Sequence, residues 1–492
     1  MNRGVIVTIS LLAAFAAAPA EGETEAPAPG GLTIEEAVLQ ALENNRALRI
    51  QRLAPAVAAT FYEQERAAFD PEISADASLF QERGRDRLGQ ETRIEGWRGG
   101  VGITDYLPTG TTLEAGAVSE KTGIASDPEQ YSTRVGISAT QALLRGRGTA
   151  VNLAALRQAR LDLVFSEYEF KGFAENLVAE VEEVYWRYVY ALRSEEIVSQ
   201  SLDLAERQLE DTRQRIRVGQ LAEIELAAAE AEVALRRESL INAASRVESF
   251  RVRLLRLVAP ARLDDPVREV EPLTRPLVPE LPTDPLEDHL AAALAFRPDL
   301  NQADLLVRRG ELEVVKTRNG LLPRMDLFIT MGKTGYSDSF GGSVSDVPSD
   351  DYDLRGGLRF DYPVGSRAAR ARDDRAALTL EQRRESLENL RDLARQDVEL
   401  ALIEVRRARQ QVDATATTRR FQEEKLRSET AKFRVGKSTG ILVAAAQRDL
   451  LASQVAEVEA VINNLTARIS LYLMEGTLLE RRGLAVAVPG EE

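Results

Sequence analysis

The sequence of 492 residues contains no cysteine, one histidine and four methionines. The absence of cysteine excludes disulfide bonds, a thiolate nucleophile and a lipid-modified cysteine at a mature N-terminus. Soft metal ions prefer cysteine, histidine and methionine, so a site for them has few available ligands. The aspartate-rich segment 337–353 lacks the ligand spacing of a calcium loop. The one histidine, His289, is expected to be solvated or to cap a helix. We therefore predict no metal site and no cofactor.

Basic residues are fewer than acidic ones. The chain has 63 lysines and arginines against 78 aspartates and glutamates, which gives a formal net charge of −15. Because phosphate binding requires basic surface, this balance argues against a nucleic-acid partner. An exported hydrolase using paired carboxylates is the enzyme class that remains open, since acidic residues abound. No nucleophile–base pair or metal cluster supports it, and we predict that the chain is not an enzyme.

Long hydrophobic runs are absent after residue 20. Residues 1–20 have the features of a secretory signal peptide: Arg3 near the start, an apolar run over 5–18, and an A-x-A cleavage site at 18–20. The alternative is a membrane anchor, but a spanning helix needs about 20 apolar residues. The mature chain is therefore expected to be either soluble or inserted as β-strands.

Proline is absent from two stretches of equal length, 149–216 and 366–433, and the first contains a single glycine, Gly172. Both are predicted to be long helices, each of about 100 Å at a rise of 1.5 Å per residue. Rods of this length do not form the packed core of one compact globule. We expect them to lie side by side in a coiled-coil assembly.

The two stretches belong to an internal duplication. Arg217-Val218-Gly219 recurs 217 residues later as Arg434-Val435-Gly436, with Ile224 matched by Ile441. Upstream, residues 34–48 match 286–300 at a shift of 252. The period far exceeds that of solenoid repeats, so the two copies are expected to pack as pseudo-equivalent halves. The first copy carries about 35 additional residues, the difference between the two shifts.

Each predicted repeat has the same order: a helix, strands, a long helix, a tight turn and a shorter helix. The predicted segments are a signal peptide (1–20), a flexible leader (21–31), a first repeat (32–257, with strands about 72–143 and helices 149–216 and 220–257), a Pro-rich linker (258–284), a second repeat (285–476, with strands about 325–362 and helices 366–433 and 440–474) and a C-terminal tail (477–492).

Strand signals occur in both repeats. Ile73, Ala75 and Ala77 alternate with polar residues, as do residues 113–117 and 135–139. This pattern is typical of a transmembrane barrel wall with interfacial aromatic girdles; the alternative is a soluble sheet on a coiled coil. One chain offers too few strands for a wide barrel, so closure requires several chains. The aromatic residues near the predicted strand ends are Phe80, Trp97, Tyr106, Tyr131, Tyr336, Tyr352, Phe360 and Tyr362.

Four segments resemble the TolC-like outer-membrane efflux proteins. Residues 32–45 are similar to that family's first helix, residues 138–146 to a strand end, and the two Arg-Val-Gly turns to the tips at the far end of its tunnel. The resemblance covers residues 32–476. It implies a mainly α fold in which a long antiparallel coiled-coil tunnel is combined with transmembrane β-barrel strands, in two structural repeats and a trimeric assembly.

The resemblance also implies a function. Three chains pool their strands in the outer membrane, in contact with its lipid, and their helices in a periplasmic tunnel. The tips meet a periplasmic adaptor bound to an inner-membrane pump, in an efflux or type I secretion system, and small molecules or polypeptides pass without chemistry. The expected docking residues are Arg217, Val218, Gly219, Arg434, Val435 and Gly436. A secreted or periplasmic coiled-coil scaffold without channel activity is the alternative.

The sequence departs from the family pattern in two places. The family's tips often carry aspartates after the turn, with a tyrosine and an arginine that lock the closed state. Here Glu225, Phe433 and Leu442 stand at such positions and are the candidate pore gate. The additional residues fit one extra hairpin, about 97–121, beyond the family's four strands per chain. That hairpin either enlarges the barrel or decorates its outside.

Overall fold

A computed structural model describes residues 31–85, 91–124, 130–261, 270–279 and 284–484. The predicted signal peptide lies outside the described residues, as does the leader up to residue 30. Parts of the Pro-rich linker and the end of the C-terminal tail also lie outside them. No described helix combines the length and the apolar character that are needed to cross a membrane.

Most described residues are helical, and the chain divides into two compact units. Among the described residues, the helical unit comprises those within 31–54, Glu167–Gln302 and 388–484, and the sheet unit comprises those within Pro55–Ser166 and Ala303–Leu387. The helices are α1 (Ile34–Asn44), α2 (Arg46–Gln51), α3 (Ala54–Arg66), a 3₁₀ turn (Ala67–Phe69), α4 (Thr149–Asn152), α5 (Ala154–Arg217), α6 (Ile224–Val258), α7 (Leu286–Phe296), α8 (Pro298–Gly320), α9 (Phe340–Asp346), α10 (Arg367–Arg434), α11 (Gly440–Glu475) and α12 (Leu478–Arg481).

The sequence of a capping box, Thr33 with Glu36 three residues later, predicts one helix that runs to about Ala68. This prediction is wrong, because the chain forms α1, α2 and α3 instead. Thr33 and Glu36 do form the expected capping box. The first division occurs at Asn45, whose backbone is extended at φ −66° and ψ 120°. Its side-chain oxygen accepts hydrogen bonds from the backbone N–H groups of Ala47 and Leu48, so Asn45 ends α1 and caps α2.

The first long helix was predicted over 149–216, but its first turn is separate. The short helix α4 ends at Asn152, and α5 begins at Ala154. The Asn152 amide nitrogen donates to the carbonyl oxygens of Pro108 and Gly146, so this turn is held against the connecting loops. The helices α5 and α10 contain 64 and 68 residues.

The core of the helical unit lies between α1, α5, α6 and α11. One face of α5 belongs to this core: Leu177, Val181 and Tyr188, at helical spacing, are buried. The hydroxyl of Tyr188 donates to the carbonyl oxygen of Val270 at 2.8 Å, and that of Tyr185 donates to Leu32 at 2.9 Å. These two bonds satisfy backbone groups beside the short parallel pair of β1 (Gly31–Leu32) and β6 (Glu271–Pro272).

The expectation that His289 is solvated or caps a helix is wrong. The residue is 1% exposed on α7, and its Nδ1 atom hydrogen-bonds to the Glu475 carboxylate at the end of α11. The same carboxylate accepts a hydrogen bond from the Thr477 hydroxyl and forms an ion pair with Arg481. Packing of α7 against α11 buries this group, and no local sequence signal records that contact.

Glu175 provides a test of the helical core. It is 1% exposed on α5, and burial raises its pKa from 4.5 to about 7, opposed by the charge of Lys171. The native state therefore binds more protons than the unfolded state between these two pH values. This carboxylate lowers the free energy of unfolding as the pH rises from about 4.5 to about 7.

We expect Glu175→Gln to unfold at a higher temperature than the wild type at pH 8, by an amount equivalent to roughly 1–3 kcal/mol, and at the same temperature at pH 4. The measurement is thermal unfolding followed by circular dichroism. Glu169→Gln, at an exposed position of the same helix, is the matched control and is expected to change neither value. Equal wild-type and Glu175→Gln temperatures at both pH values would contradict the prediction.

The sheet unit contains one antiparallel sheet with the strand order β2-β3-β4-β5-β7-β8. Strands β5 and β7, which are distant in sequence, pair with Ile137 opposite Met331. Strands β2 and β8 form the two edges, and neither has a second partner within the described chain. The strands are β2 (Glu72–Arg85), β3 (Glu91–Leu107), β4 (Thr111–Ile124), β5 (Gln130–Ala142), β7 (Arg324–Ser337) and β8 (Asp353–Asp361).

The predicted extra hairpin, about 97–121, falls within the hairpin of β3 and β4 at 91–124, which lies inside the sheet between β2 and β5. Its turn includes Gly110, which has a φ of +86°. The turn is hydrogen-bonded to the end of β5, since Ala142 N–H donates to the Gly110 carbonyl and Gly148 N–H donates to Thr109. The hairpin is thus a structural part of the sheet at both its strands and its turn.

Candidate functional sites: a two-faced sheet and two helix turns

One face of the sheet is apolar along all six strands. We call it the apolar face; it carries Ile73, Ala75, Ala77, Leu79, Val101, Ile103, Leu113, Ala115, Ala117, Val135, Ile137, Ala139, Leu327, Ile329, Met331, Leu354, Leu358 and Phe360, which the strand register brings together. Its large side chains are exposed in the single chain. Soluble monomers rarely expose so extensive an apolar surface, so this face is adapted to contact apolar surroundings.

The opposite face, which we call the polar face, carries charged, hydroxyl and glycine residues. Arg134 of β5 reaches across β7 to form a two-point ion pair with Asp353 of β8. Ser138 donates to Glu114 at 2.9 Å, which joins β5 to β4. Charged and hydroxyl groups favour an aqueous environment, because moving them into an apolar medium is costly. The two faces therefore suit different solvents.

Four glycines follow one another across the polar face. Gly102, Gly116, Gly136 and Gly332 are directly opposite each other on β3, β4, β5 and β7. A Cβ atom at Gly116 would lie 2.9 Å from the Val101 carbonyl oxygen, closer than side chains normally approach. The neighbouring backbones therefore approach closely on this side, from which we infer that the polar face is the concave one. Glycine is a usual means of curving a sheet.

Aromatic side chains cluster at the two ends of the strands. At one end, the ring of Trp97 lies 6.4 Å from that of Tyr131 and 6.0 Å from that of Phe340. At the other, Tyr106 stacks on Phe69 with a centroid distance of 5.9 Å. Nine residues separate Trp97 from Tyr106, or about 30 Å along a strand. By the strand register Trp97 lies on the side of the apolar face, as an interfacial girdle requires, whereas Tyr106 lies on the side of the polar face.

The segment between β7 and β8 folds back onto the sheet through α9. The hydroxyls of Ser343 and Thr133 are 2.8 Å apart, and Phe340 contacts Trp97. Thr133 and Trp97 belong to the side of the sheet that carries the apolar face. This segment therefore leaves the polar face uncovered. Among the described residues, no group of histidine, aspartate and glutamate is arranged to hold a metal ion.

The two Arg-Val-Gly segments form equivalent turns in the helical unit. Gly219 and Gly436 have φ values of +74° and +71°, the left-handed conformation that the repeated glycines predict. In each turn the residue after the glycine donates its N–H to a carbonyl five residues earlier, at 2.8 Å. The two helix hairpins therefore end in the same Schellman-type geometry.

Each turn presents apolar side chains to solvent. Val218 and Val435 are both 68% exposed, and the repeated isoleucines Ile224 and Ile441 are 80% and 60% exposed. Both isoleucines belong to the internal duplication, but they were not among the predicted docking residues. The 217-residue repeat was the sequence signal that could have identified these isoleucines as docking candidates. Each turn region therefore exposes two β-branched apolar side chains.

The structure brings together two of the three candidate gate residues. Glu225 and Phe433 line a cavity of about 150 Å³ between the two helix hairpins, and Leu442 does not line it. Phe433 is buried beneath the Arg215 guanidinium, 5.2 Å from its ring centroid. Glu225 lies against Gly440, at the start of α11. Leu442 is 52% exposed.

A model of the outer membrane efflux protein family matches residues 37–259 and 290–477. The chain is similar in structure to the outer-membrane channel OprN (18% identity, 90% of this chain and 89% of that chain, TM-score 0.69). It is also similar to the CmeC outer membrane channel of Campylobacter jejuni (15%, 90% and 86%, 0.66) and to the open state of the MtrE outer membrane channel of Neisseria gonorrhoeae (21%, 91% and 89%, 0.62). No curated protein sequence matches the chain.

At these identities the solved structures show a common fold, while the family model spans most of the chain. The family consists of transport channels of the outer membrane, so the chain is not an enzyme. The resemblance found in residues 32–45, 138–146 and the two turns is thereby confirmed. This chain belongs to the outer membrane efflux protein family.

Proposed function

We propose that the chain is the outer-membrane channel of a tripartite efflux or type I secretion system. It conducts small molecules or polypeptides from a periplasmic adaptor and an inner-membrane pump to the outside. The observation that carries the proposal is the exposed apolar face, which lies opposite a polar face that carries a row of four glycines. In a barrel wall, the convex apolar face contacts lipid and the concave polar face lines the passage.

The sheet edges support an assembly of several copies. Strands β2 and β8 present backbone N–H and C=O groups that no described strand pairs. In lipid such groups have to be satisfied, and closure of the sheet by neighbouring copies satisfies them. We propose a homotrimer in which β2 of one copy pairs with β8 of the next.

The helices support a tunnel in the periplasm. On α10, Leu393, Leu400 and Ile403 are all exposed in the single chain. Their spacing of seven and three residues places them on one helix face, as in a coiled-coil seam. Neighbouring helices of the trimer would cover this face. The two turns would then form the tips that meet the adaptor, with Val218 and Val435 in the contact.

We propose that Glu225, Phe433 and Leu442 contribute to the pore gate. Glu225 and Phe433 line a shared cavity between the helix hairpins, so a change in the angle between the hairpins would alter the shape of this cavity. Leu442 faces solvent in the single chain and would face either the pore or a neighbouring copy. The aspartates, tyrosine and arginine of the usual family lock are not present at these positions.

The assembly can be tested directly. We expect the protein to be extracted from outer membranes only with detergent, and to be trimeric and elongated afterwards, because one chain covers neither its sheet edges nor its α10 seam. Light scattering combined with size-exclusion chromatography measures both properties. A compact, monodisperse monomer, or a protein that is soluble without detergent, would instead support the coiled-coil scaffold.

A further inference from the structure

We infer that the extra hairpin of β3 and β4 is part of the membrane wall, so that the assembled channel has a barrel of 18 strands rather than 12. The inference rests on the trimer of the proposed function, because six strands from each of three copies give this number. The alternative is a wall of four strands per copy, with the hairpin on the outside of the barrel.

The hydrogen-bond ladder carries the first part of the argument. Strand β3 pairs with β2 from Glu72 opposite Thr104 to Arg85 opposite Glu91, and β4 pairs with β5 over twelve consecutive residues. Strand β2 has no contact with β5 in the described ladder, so removing the hairpin from the wall would leave a gap between them. A strand needs about 9–11 residues to cross the membrane, and both hairpin strands exceed this length.

The two faces of the hairpin carry the second part. Val101, Ile103 and Ala115 continue the apolar face without interruption between Ile73 on β2 and Ile137 on β5. If the hairpin lay outside the barrel wall, one of its faces would contact the barrel and the other would contact lipid. The alternation along the hairpin instead matches that of its neighbours on both sides.

The curvature of the sheet carries the third part. Two of the four glycines in the concave row, Gly102 and Gly116, belong to the hairpin, and they are in register with Gly136 and Gly332 outside it. The hairpin therefore has its glycines at the same level and on the same face as those of β5 and β7, where they permit the same bend. Its turn is also fixed, since Asn152 donates to the Pro108 carbonyl.

The consequence is a wider exit. The diameter of a barrel grows roughly linearly with strand number, so 18 strands give about 1.5 times the width of 12. Barrels of 16–18 strands leave an aqueous channel. The segment between β7 and β8 does not occupy it, because α9 packs on the other face of the sheet. Selection of cargo by size would then take place in the helical part of the channel.

The absence of cysteine allows a direct measurement. Two separate single-cysteine variants are used, Ala117→Cys on β4 and Val135→Cys on β5. Each carries one spin label per chain on the apolar face, and the two positions are directly opposite in the ladder. Double electron–electron resonance on the detergent-purified trimer then measures the distance between the three symmetric copies. With strands 4.8 Å apart and tilted by about 40°, the Cα–Cα distance is about 31 Å for 18 strands and about 21 Å for 12.

We expect both labels to give the same distance of about 31 Å. A distance of about 21 Å at Val135, with a longer one at Ala117, would place the hairpin outside the wall and overturn the inference while leaving the trimer intact. Absence of a trimer would overturn the proposed function and the inference with it. Counting strands in an electron cryo-microscopy map of the unmodified trimer gives the same decision without a substitution.

Discussion

Replacing both Val218 and Val435 by aspartate is expected to abolish export while leaving the trimer and its membrane insertion intact. Both side chains are exposed at the helix turns, so they contribute little to the core of the helical unit. In an adaptor contact, burial of each valine side chain would contribute about 1.5–3 kcal/mol of binding free energy. The trimer would present six such valines. An aspartate in the same place would bury an unpaired carboxylate, which costs more than the lost apolar contact.

The measurement compares export and adaptor cross-linking with the amount of membrane-inserted trimer. The matched control is Val218→Ile with Val435→Ile, which keeps the turns apolar and β-branched and is expected to export normally. Normal export by the aspartate double variant would remove the turns as the docking site. Loss of the trimer itself would show that the valines pack the turns instead.

Arginine at Ala75 is expected to prevent assembly in the membrane, whereas arginine at Ser74 is expected to be tolerated. Ala75 lies on the apolar face opposite Val101, where a charge would face lipid at a cost of about 2–4 kcal/mol near mid-membrane. Ser74 lies on the polar face opposite Gly102, which has no side chain and leaves room for a longer one. The two positions are adjacent on one strand, so each variant is the control for the other.

The measurement is the amount of heat-stable trimer in the outer-membrane fraction for Ala75→Arg, Ser74→Arg and the wild type. Because the concave polar face is assigned to the passage, the reversed result, with Ser74→Arg defective, would contradict that assignment. Equal tolerance at both positions would count against β2 as a membrane strand.

The sequence alone determined the organisation of the chain. The glycines of the two Arg-Val-Gly segments predicted turns with positive φ, and both glycines adopt it, because a helix that ends in a reversal favours a residue without a Cβ atom. The alternation around Ile73 predicted strands with one apolar face, since successive side chains of a strand point to opposite sides. Such signals are local, and they are complete within a few residues.

Only the tertiary structure decided how distant segments combine. The position of the extra hairpin between β2 and β5 depends on strand pairing, and pairing is not encoded by the alternation pattern of either partner. The burial of His289 depends on α11, and the convergence of Glu225 and Phe433 in one cavity depends on the packing of two helix hairpins. The glycine row on the polar face depends on the register that brings Gly102, Gly116, Gly136 and Gly332 together across four strands. The sequence did not predict these combinations, because contacts between residues far apart in sequence leave no periodic signal in either segment.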